Sequence, residues 1–127
     1  MTDQDKEGEI RVLIVDDEPS YRDYLERFLT REGYDIRTAS TGQEALAIGK
    51  DFLPQVILAD WMLKDHIHGL QVAESLREIK PDLQILLMTG FPSWEIRKEA
   101  DRAEVFRFLE KPFGLDEVSA AIAAATA

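Results

Sequence analysis

The sequence predicts an α/β domain: one doubly wound sheet of five parallel strands in the order 2-1-3-4-5, flanked by five helices. Five short aliphatic or aromatic segments alternate with five segments of helical period, the pattern of β–α units joined by right-handed crossovers. Three of the strands, residues 10–15, Val56–Asp60 and 85–88, are nearly continuous apolar runs. The other two, residues 34–38 and 105–109, alternate apolar with polar. Continuous runs belong to strands covered on both faces and alternating ones to the margins, which the order 2-1-3-4-5 satisfies.

Each element has a local cause. Residues 1–9 are polar and aperiodic and are expected to form a flexible leader to a domain spanning 10–127. The first strand stops at Asp16-Asp17-Glu18-Pro19; Pro19 suits a first helical turn, and Tyr21, Tyr24, Leu25, Phe28 and Leu29 recur at helical spacing as far as Glu32. Tyr21, Phe28 and Leu29 are assigned to the core, and Gly33 ends the helix. Thr41 and Glu44 predict a capping box opening a second helix that runs to about Lys50. After the third strand a loop reaches His68, and Gly69 opens a helix with Leu70, Ala73, Leu76 and Ile79 inward, closed by Pro81. The fourth strand ends at Thr89-Gly90. Residues 92–102 offer only Trp94, Ile96 and Ala100 for burial, so this should be the least anchored helix. The fifth strand alternates about Arg107, and beyond Lys111-Pro112 a last helix turns Leu115, Val118, Ala121 and Ile122 inward.

A chain of 127 residues fits one domain and leaves no room for a second. With no cysteine, disulfides and thiolate metal sites are excluded. The net charge of −10 argues against direct nucleic-acid binding. The apolar runs are too short for membrane insertion, so a cytoplasmic location is expected.

In such a sheet ligands bind beyond the carboxyl ends of the strands, at the point where strand order reverses. That point lies between the first and third strands, where Asp16, Asp17 and Asp60 should converge. Three carboxylates in one crevice repel each other unless neutralised, and a hard divalent cation is the usual remedy. Magnesium, with manganese as the alternative, would take Asp17 and Asp60 directly, the Met62 carbonyl as a third ligand and Asp16 through water. Thr89 and Lys111 arrive from the neighbouring strand ends. A cation and a lysine around one carboxylate suit phosphoryl transfer, with Asp60 as nucleophile, Lys111 holding phosphoryl oxygens and Thr89 bonding one oxygen of the product. Taken singly, each acid reads more simply as a cap or turn residue; the combination shifts the balance to function. Asp65, His66 and His68 are read as solvated loop residues, because a second metal site there would lack further ligands. Trp61 neighbours the site on either reading.

Four segments then carry a resemblance: Val12 to Pro19, Leu58 to Leu63, Leu87 to Gly90 and Glu110 to Phe113. They resemble the receiver domain of bacterial two-component response regulators, a flavodoxin-like fold similar to the chemotaxis regulator, over residues 10 to about 125. The resemblance implies that Asp60 is the phosphoacceptor, taking its group from a sensor histidine kinase or a histidine phosphotransfer protein in a magnesium-dependent step. It implies no enzyme beyond the domain's own phosphoryl transfer and dephosphorylation. It implies a switch through Thr89 and Phe108, a cis Lys111–Pro112 bond, and a downstream effector bound at the fourth helix, fifth strand and fifth helix. A monomer or weak phosphorylation-dependent dimer is expected.

The chain departs from the family pattern in three places. The loop between Asp60 and Gly69 is one residue longer than the commonest form, with Lys64 where proline is usual. The turn before the fifth strand, Ala103-Glu104-Val105, lacks glycine. Met62 and Phe91, two residues beyond Asp60 and Thr89, are both apolar; such positions influence water attack on the acyl phosphate, so its lifetime should differ from that of regulators with polar groups there. Three rival functions fit the residues less well. An aspartyl phosphatase needs a second acid where Met62 stands, and a flavin-binding protein needs a phosphate loop where Asp16, Asp17 and Glu18 would repel it. A receiver-like module working without phosphorylation would leave the site residues without a use.

Overall fold

In the computed structural model, which describes residues 8–63 and 67–127, the strands are Arg11–Val15 (β1), Asp35–Ala39 (β2), Val56–Asp60 (β3), Gln84–Thr89 (β4) and Arg107–Glu110 (β5). They alternate with helices Pro19–Arg31 (α1), Gly42–Phe52 (α2), Gly69–Ile79 (α3), Trp94–Arg102 (α4) and Leu115–Ala125 (α5). All strands pair in parallel in the order β2-β1-β3-β4-β5, as expected. The expected leader over residues 1–7, and the readings of Lys64, Asp65 and His66, lie outside the described residues. No described helix is long and apolar enough to cross a membrane.

Strand alternation divides the core in two. Val12, Ile14, Val56, Leu58, Leu86 and Met88 face Leu25, Leu29, Val118 and Ile122 of α1 and α5. Leu13, Val15, Ile57, Ala59 and Ile85 face the other way, against Ala45, Phe52, Val72, Ala73 and Leu76 of α2 and α3. Leu87 extends that second face to Leu70 of α3 and Ala100 of α4. Both faces of β1, β3 and β4 are therefore covered, which is why those strands read as unbroken apolar runs.

Several boundaries shift for identifiable reasons. β2 begins at Asp35 rather than 34, because Gly33 (φ +100°) turns the chain and the Tyr34 N–H donates to the Leu29 carbonyl at 3.2 Å. α2 runs two residues past Lys50, because Phe52 is buried and the Arg11 guanidinium donates to the terminal carbonyls of Phe52 and Leu53 at about 3.0 Å. Its amino end departs from a reciprocal capping box. Thr41 Oγ1 accepts from the Glu44 N–H at 3.1 Å, but Glu44 Oε1 accepts from the N–H and hydroxyl of Ser40 instead of from Thr41. In α3 the inward set gains Val72 and loses Ile79, which is 49 % exposed, because the helix lies between α2 and α4 and buries two flanks of its amino half. Trp94 is 70 % exposed rather than inward, with Lys98 Nζ 4.8 Å above its ring. Only Ala100 of α4 is fully buried.

β5 starts at Arg107, two residues later than expected. Glu104 takes a left-handed conformation (φ +55°) before it, and the Phe106 N–H then joins the Ile85 carbonyl at 2.8 Å. Glutamate in this region costs about 1–2 kcal/mol, while glycine would add about 0.5–1 kcal/mol of unfolded-state entropy. Glu104→Gly should therefore stabilise the fold by about 0.5 kcal/mol, read as a higher urea midpoint at unchanged slope. A lower midpoint would refute the assigned strain.

Candidate functional site

Parallel pairing sets the strand ends side by side: Val15 is level with Ala59, Asp60 with Met88, and Thr89 with Glu110. The backbone keeps the alignment beyond each strand. The Asp16 N–H donates to Ala39, Trp61 to Met88 and Lys111 to Thr89, at 2.7–3.1 Å. Asp16, Asp17, Asp60, Thr89 and Lys111 are thus brought to one edge, as the sequence reading requires.

Lys111 Nζ bridges the acids, 2.8 Å from Asp16 Oδ2 and 3.1 Å from Asp60 Oδ2. Asp16 is fully buried; its Oδ1 accepts the Glu18 N–H at 3.0 Å, and its carbonyl accepts the Arg22 guanidinium at 2.7 Å. Thr89 is 1 % exposed, and its Oγ1 accepts the Phe91 N–H at 3.1 Å. An open cleft of about 390 Å³ lies over these groups, with Asp17, Asp60, Thr89 and Lys111 in its lining and the side chains of Met62 and Phe91, 64 % and 81 % exposed, at its border.

Burial raises the pKa of Asp60 above its ordinary value; the Lys111 charge opposes this and the Asp16 charge adds to it. Burial also works against the charge on Lys111, but the hydrogen bond and charge of Asp16, followed by those of Asp60, outweigh it and leave the lysine pKa raised. The two carboxylates and the ammonium thus form a partly desolvated unit that lacks enough positive charge for its acids. One oxygen from each of Asp16, Asp17 and Asp60 lies within 4.8 Å of the others, an all-oxygen donor set suited to a hard cation. Both Asp16 oxygens already accept hydrogen bonds.

Phe108, His68 and Pro112 stand apart from the acidic cluster. Phe108 is half-buried beside Leu87 and Ala100, with the Arg97 guanidinium 4.5 Å over its ring and bonded to Glu110 Oε1 at 2.9 Å. His68 is exposed and stacks on Trp61 at 4.6 Å between ring centroids, outside the acidic cluster. The Lys111–Pro112 peptide bond is cis.

Two residues escaped the sequence reading. Arg22 clamps the Asp16 carbonyl, and no motif or spacing marks it. Tyr21, a core residue by its helical spacing, is only partly buried, with its ring 4.6 Å beneath Lys111 Nζ. Its buried hydroxyl has no hydrogen-bond partner among the described residues. Burial first, then the Asp16 and Asp60 carboxylates, hold the phenol pKa above its usual value. The available signal was a tyrosine in the first helical turn, four residues after Asp17.

A parallel sheet with an acidic cluster and a lysine at its switch point defines a flavodoxin-like class of α/β domain. Residues 12–123 match the family model of the response regulator receiver domain, and the chain belongs to that family, the receiver domains of two-component systems. Among relatives, "Probable transcriptional regulatory protein TcrX" of Mycobacterium tuberculosis is 37 % identical over 109 residues, which cover 86 % of this chain and 46 % of that protein. Response regulator MprA of Mycolicibacterium vanbaalenii is 35 % identical over 111 residues, 87 % of this chain and 48 % of its own length. The chain thus spans about half the length of these relatives. Among solved structures, the Vibrio cholerae chemotaxis protein CheY4 superposes with a TM-score of 0.85 at 27 % identity, over 93 % of this chain and 99 % of that one. A Burkholderia pseudomallei response regulator, solved with a phosphorylated aspartic acid, calcium ion and citrate, gives 0.83 at 28 % identity, over 93 % and 69 %.

Proposed function

We propose that this receiver domain accepts a phosphoryl group on Asp60 from a phosphohistidine of a sensor histidine kinase or histidine phosphotransfer protein, and that the phosphorylated form presents a changed surface to an effector. The observation that carries this reading is the ammonium of Lys111 joined to both Asp16 and Asp60 on the lining of an open cleft. The phosphorylated aspartic acid in the Burkholderia relative supports it by analogy.

An Asp60 carboxylate oxygen attacks phosphorus as the donor's P–N bond breaks; the bonding pair departs with the imidazole nitrogen, and the transferred group keeps its negative charge on the phosphoryl oxygens. Lys111, held charged by its two acids, can follow an oxygen of the incoming group because its flexible stem allows the ammonium to turn from Asp60. Thr89 uses its oxygen to accept from Phe91, so its own proton remains for a phosphoryl oxygen. Magnesium, or manganese, would be held by Asp17, Asp60 and the Met62 carbonyl, with Asp16 acting through water, and would supply positive charge opposite the transferred group. Met62 and Phe91 border the path of attacking water and are proposed to tune the lifetime of the acyl phosphate.

Thr89 and Phe108 are proposed to relay the change to the face made by α4, β5 and α5. The domain acts on no other substrate, catalysing only its own phosphorylation and dephosphorylation. Incubating the protein with a small acyl-phosphate donor and magnesium should add one phosphoryl mass to the peptide containing Asp60. Asp60→Asn should abolish the addition; labelling that persists in this variant, or falls on another residue, would reject the assignment.

A further inference from the structure

We propose that Tyr21 is a positioning residue for this transfer: its ring holds the Lys111 ammonium in the bridge between Asp16 and Asp60. The inference rests on the phosphoacceptor reading of Asp60 and extends it to a residue on α1. Lys111 has three N–H donors. Two point to Asp16 Oδ2 and Asp60 Oδ2, and the Tyr21 ring centroid lies 4.6 Å from the same nitrogen, within reach of a cation–π attraction. The ring is itself braced edge-on by Phe113, at 5.9 Å and 73°. One aromatic side chain therefore touches residues on both sides of Pro112 and ties the segment that carries the lysine to α1.

Core bulk alone does not account for this placement. Leu25 and Leu29 fill the interior of α1 with no exposure, whereas Tyr21 lies at the margin of that cluster with its hydroxyl desolvated and unpaired among the described residues. A buried hydroxyl without a partner is a cost that the ring's edge contact with Phe113 and its place at the core margin must offset. The contact that distinguishes the position is the charged one. A lysine stem has four rotatable bonds, and when Asp60 turns to its donor only Asp16 and the ring remain to keep the ammonium within reach of the transferred group.

The test is a cycle of variants read by labelling rate with a small acyl-phosphate donor at fixed magnesium, together with the NMR shifts of the Lys111 ε-methylene protons. The ring should move those protons upfield; Tyr21→Leu should return them toward ordinary lysine values and slow labelling about tenfold. Restoring the ring as Tyr21→Phe should recover both signals, the rate to within about twofold. In a Lys111→Met background, Tyr21→Leu should add no further slowing, because the contact it removes is already gone. Equal slowing with and without Lys111, or Lys111 shifts that ignore Tyr21→Leu, would overturn the proposal. Failure of the unaltered protein to label would instead overturn the phosphoacceptor reading, and the methylene shifts would then decide the contact by themselves.

Discussion

Gly69→Ala is expected to lower the melting temperature by about 10 °C and to slow labelling of Asp60 as well. A Cβ at Gly69 would lie 2.0 Å from the Asp60 carbonyl oxygen and 3.1 Å from the Ala59 Cβ. The obstacle is backbone at the end of a strand whose first four residues are fully buried, so it cannot be relieved by turning a side chain. The Gly69 N–H also donates to the Trp61 carbonyl at 3.0 Å, which fixes the start of α3 against the strand end. Overpacking of this kind costs about 3 kcal/mol, which corresponds to the stated temperature shift in a domain of this size. Relief must displace the Asp60 main chain or α3, and the first of these moves the proposed phosphoacceptor. Gly90→Ala is the matched control, since its nearest contact would be the Lys111 Cβ at an ordinary 3.9 Å. Calorimetry of both variants, with labelling of each, checks the claim; a Gly69→Ala protein that melts and labels like the parent would disprove the close approach.

The second large effect is electrostatic. Folding raises the Asp60 pKa above its ordinary value of 3.8, so near that pH the folded chain binds the proton more tightly than the unfolded one. Stability therefore falls as pH rises through the window between the unfolded and folded values; the penalty is complete above it and absent below. In buffers free of divalent cations, Asp60→Asn should be more stable than the parent at pH 7, and the advantage should vanish as the pH drops below the ordinary carboxylate range. Magnesium should reverse the ranking. A ligand at a hundred times its dissociation constant adds about 2.7 kcal/mol, or roughly 9 °C here, and Asp60→Asn should forfeit most of that increment. Denaturant titrations at several pH values, with and without magnesium, measure both parts. An Asn variant weaker than the parent at pH 7 without cations would contradict the assigned environment of Asp60.

The architecture was legible because burial leaves its mark on strand composition. β1, β3 and β4 carry apolar residues on both faces, while β2 and β5 carry Arg37 and Arg107 outward, and parallel pairing then aligns the strand ends without further information. Asp16, Asp17, Asp60, Thr89 and Lys111 could be grouped for the same reason. What escaped detection depends on rotation about a helix axis or on backbone shape that residue type does not encode. Helical spacing marks Tyr21 as apolar but cannot tell a ring facing Leu25 from one beneath an ammonium. Val72 and Ile79 were exchanged because α3 packs on two neighbours rather than one. The late start of β5 follows from Glu104, whose left-handed turn is invisible when glycine is absent.

Arg77 of α3 bears on how the module can change shape. Its guanidinium donates to the carbonyls of Leu83, Ala103 and Glu104 at 2.7–3.4 Å, so one side chain pins the start of β4 and the tail of α4 to α3. The head of α4, by contrast, follows the Thr89 end of β4 through Phe91, which is exposed. The helix is thus rigged like a boom: its tail is held to α3 by Arg77, and Arg97 stays it to Glu110 of β5. On the proposed relay through Thr89, a shift of that residue would swing the head of α4 about its Arg77 end.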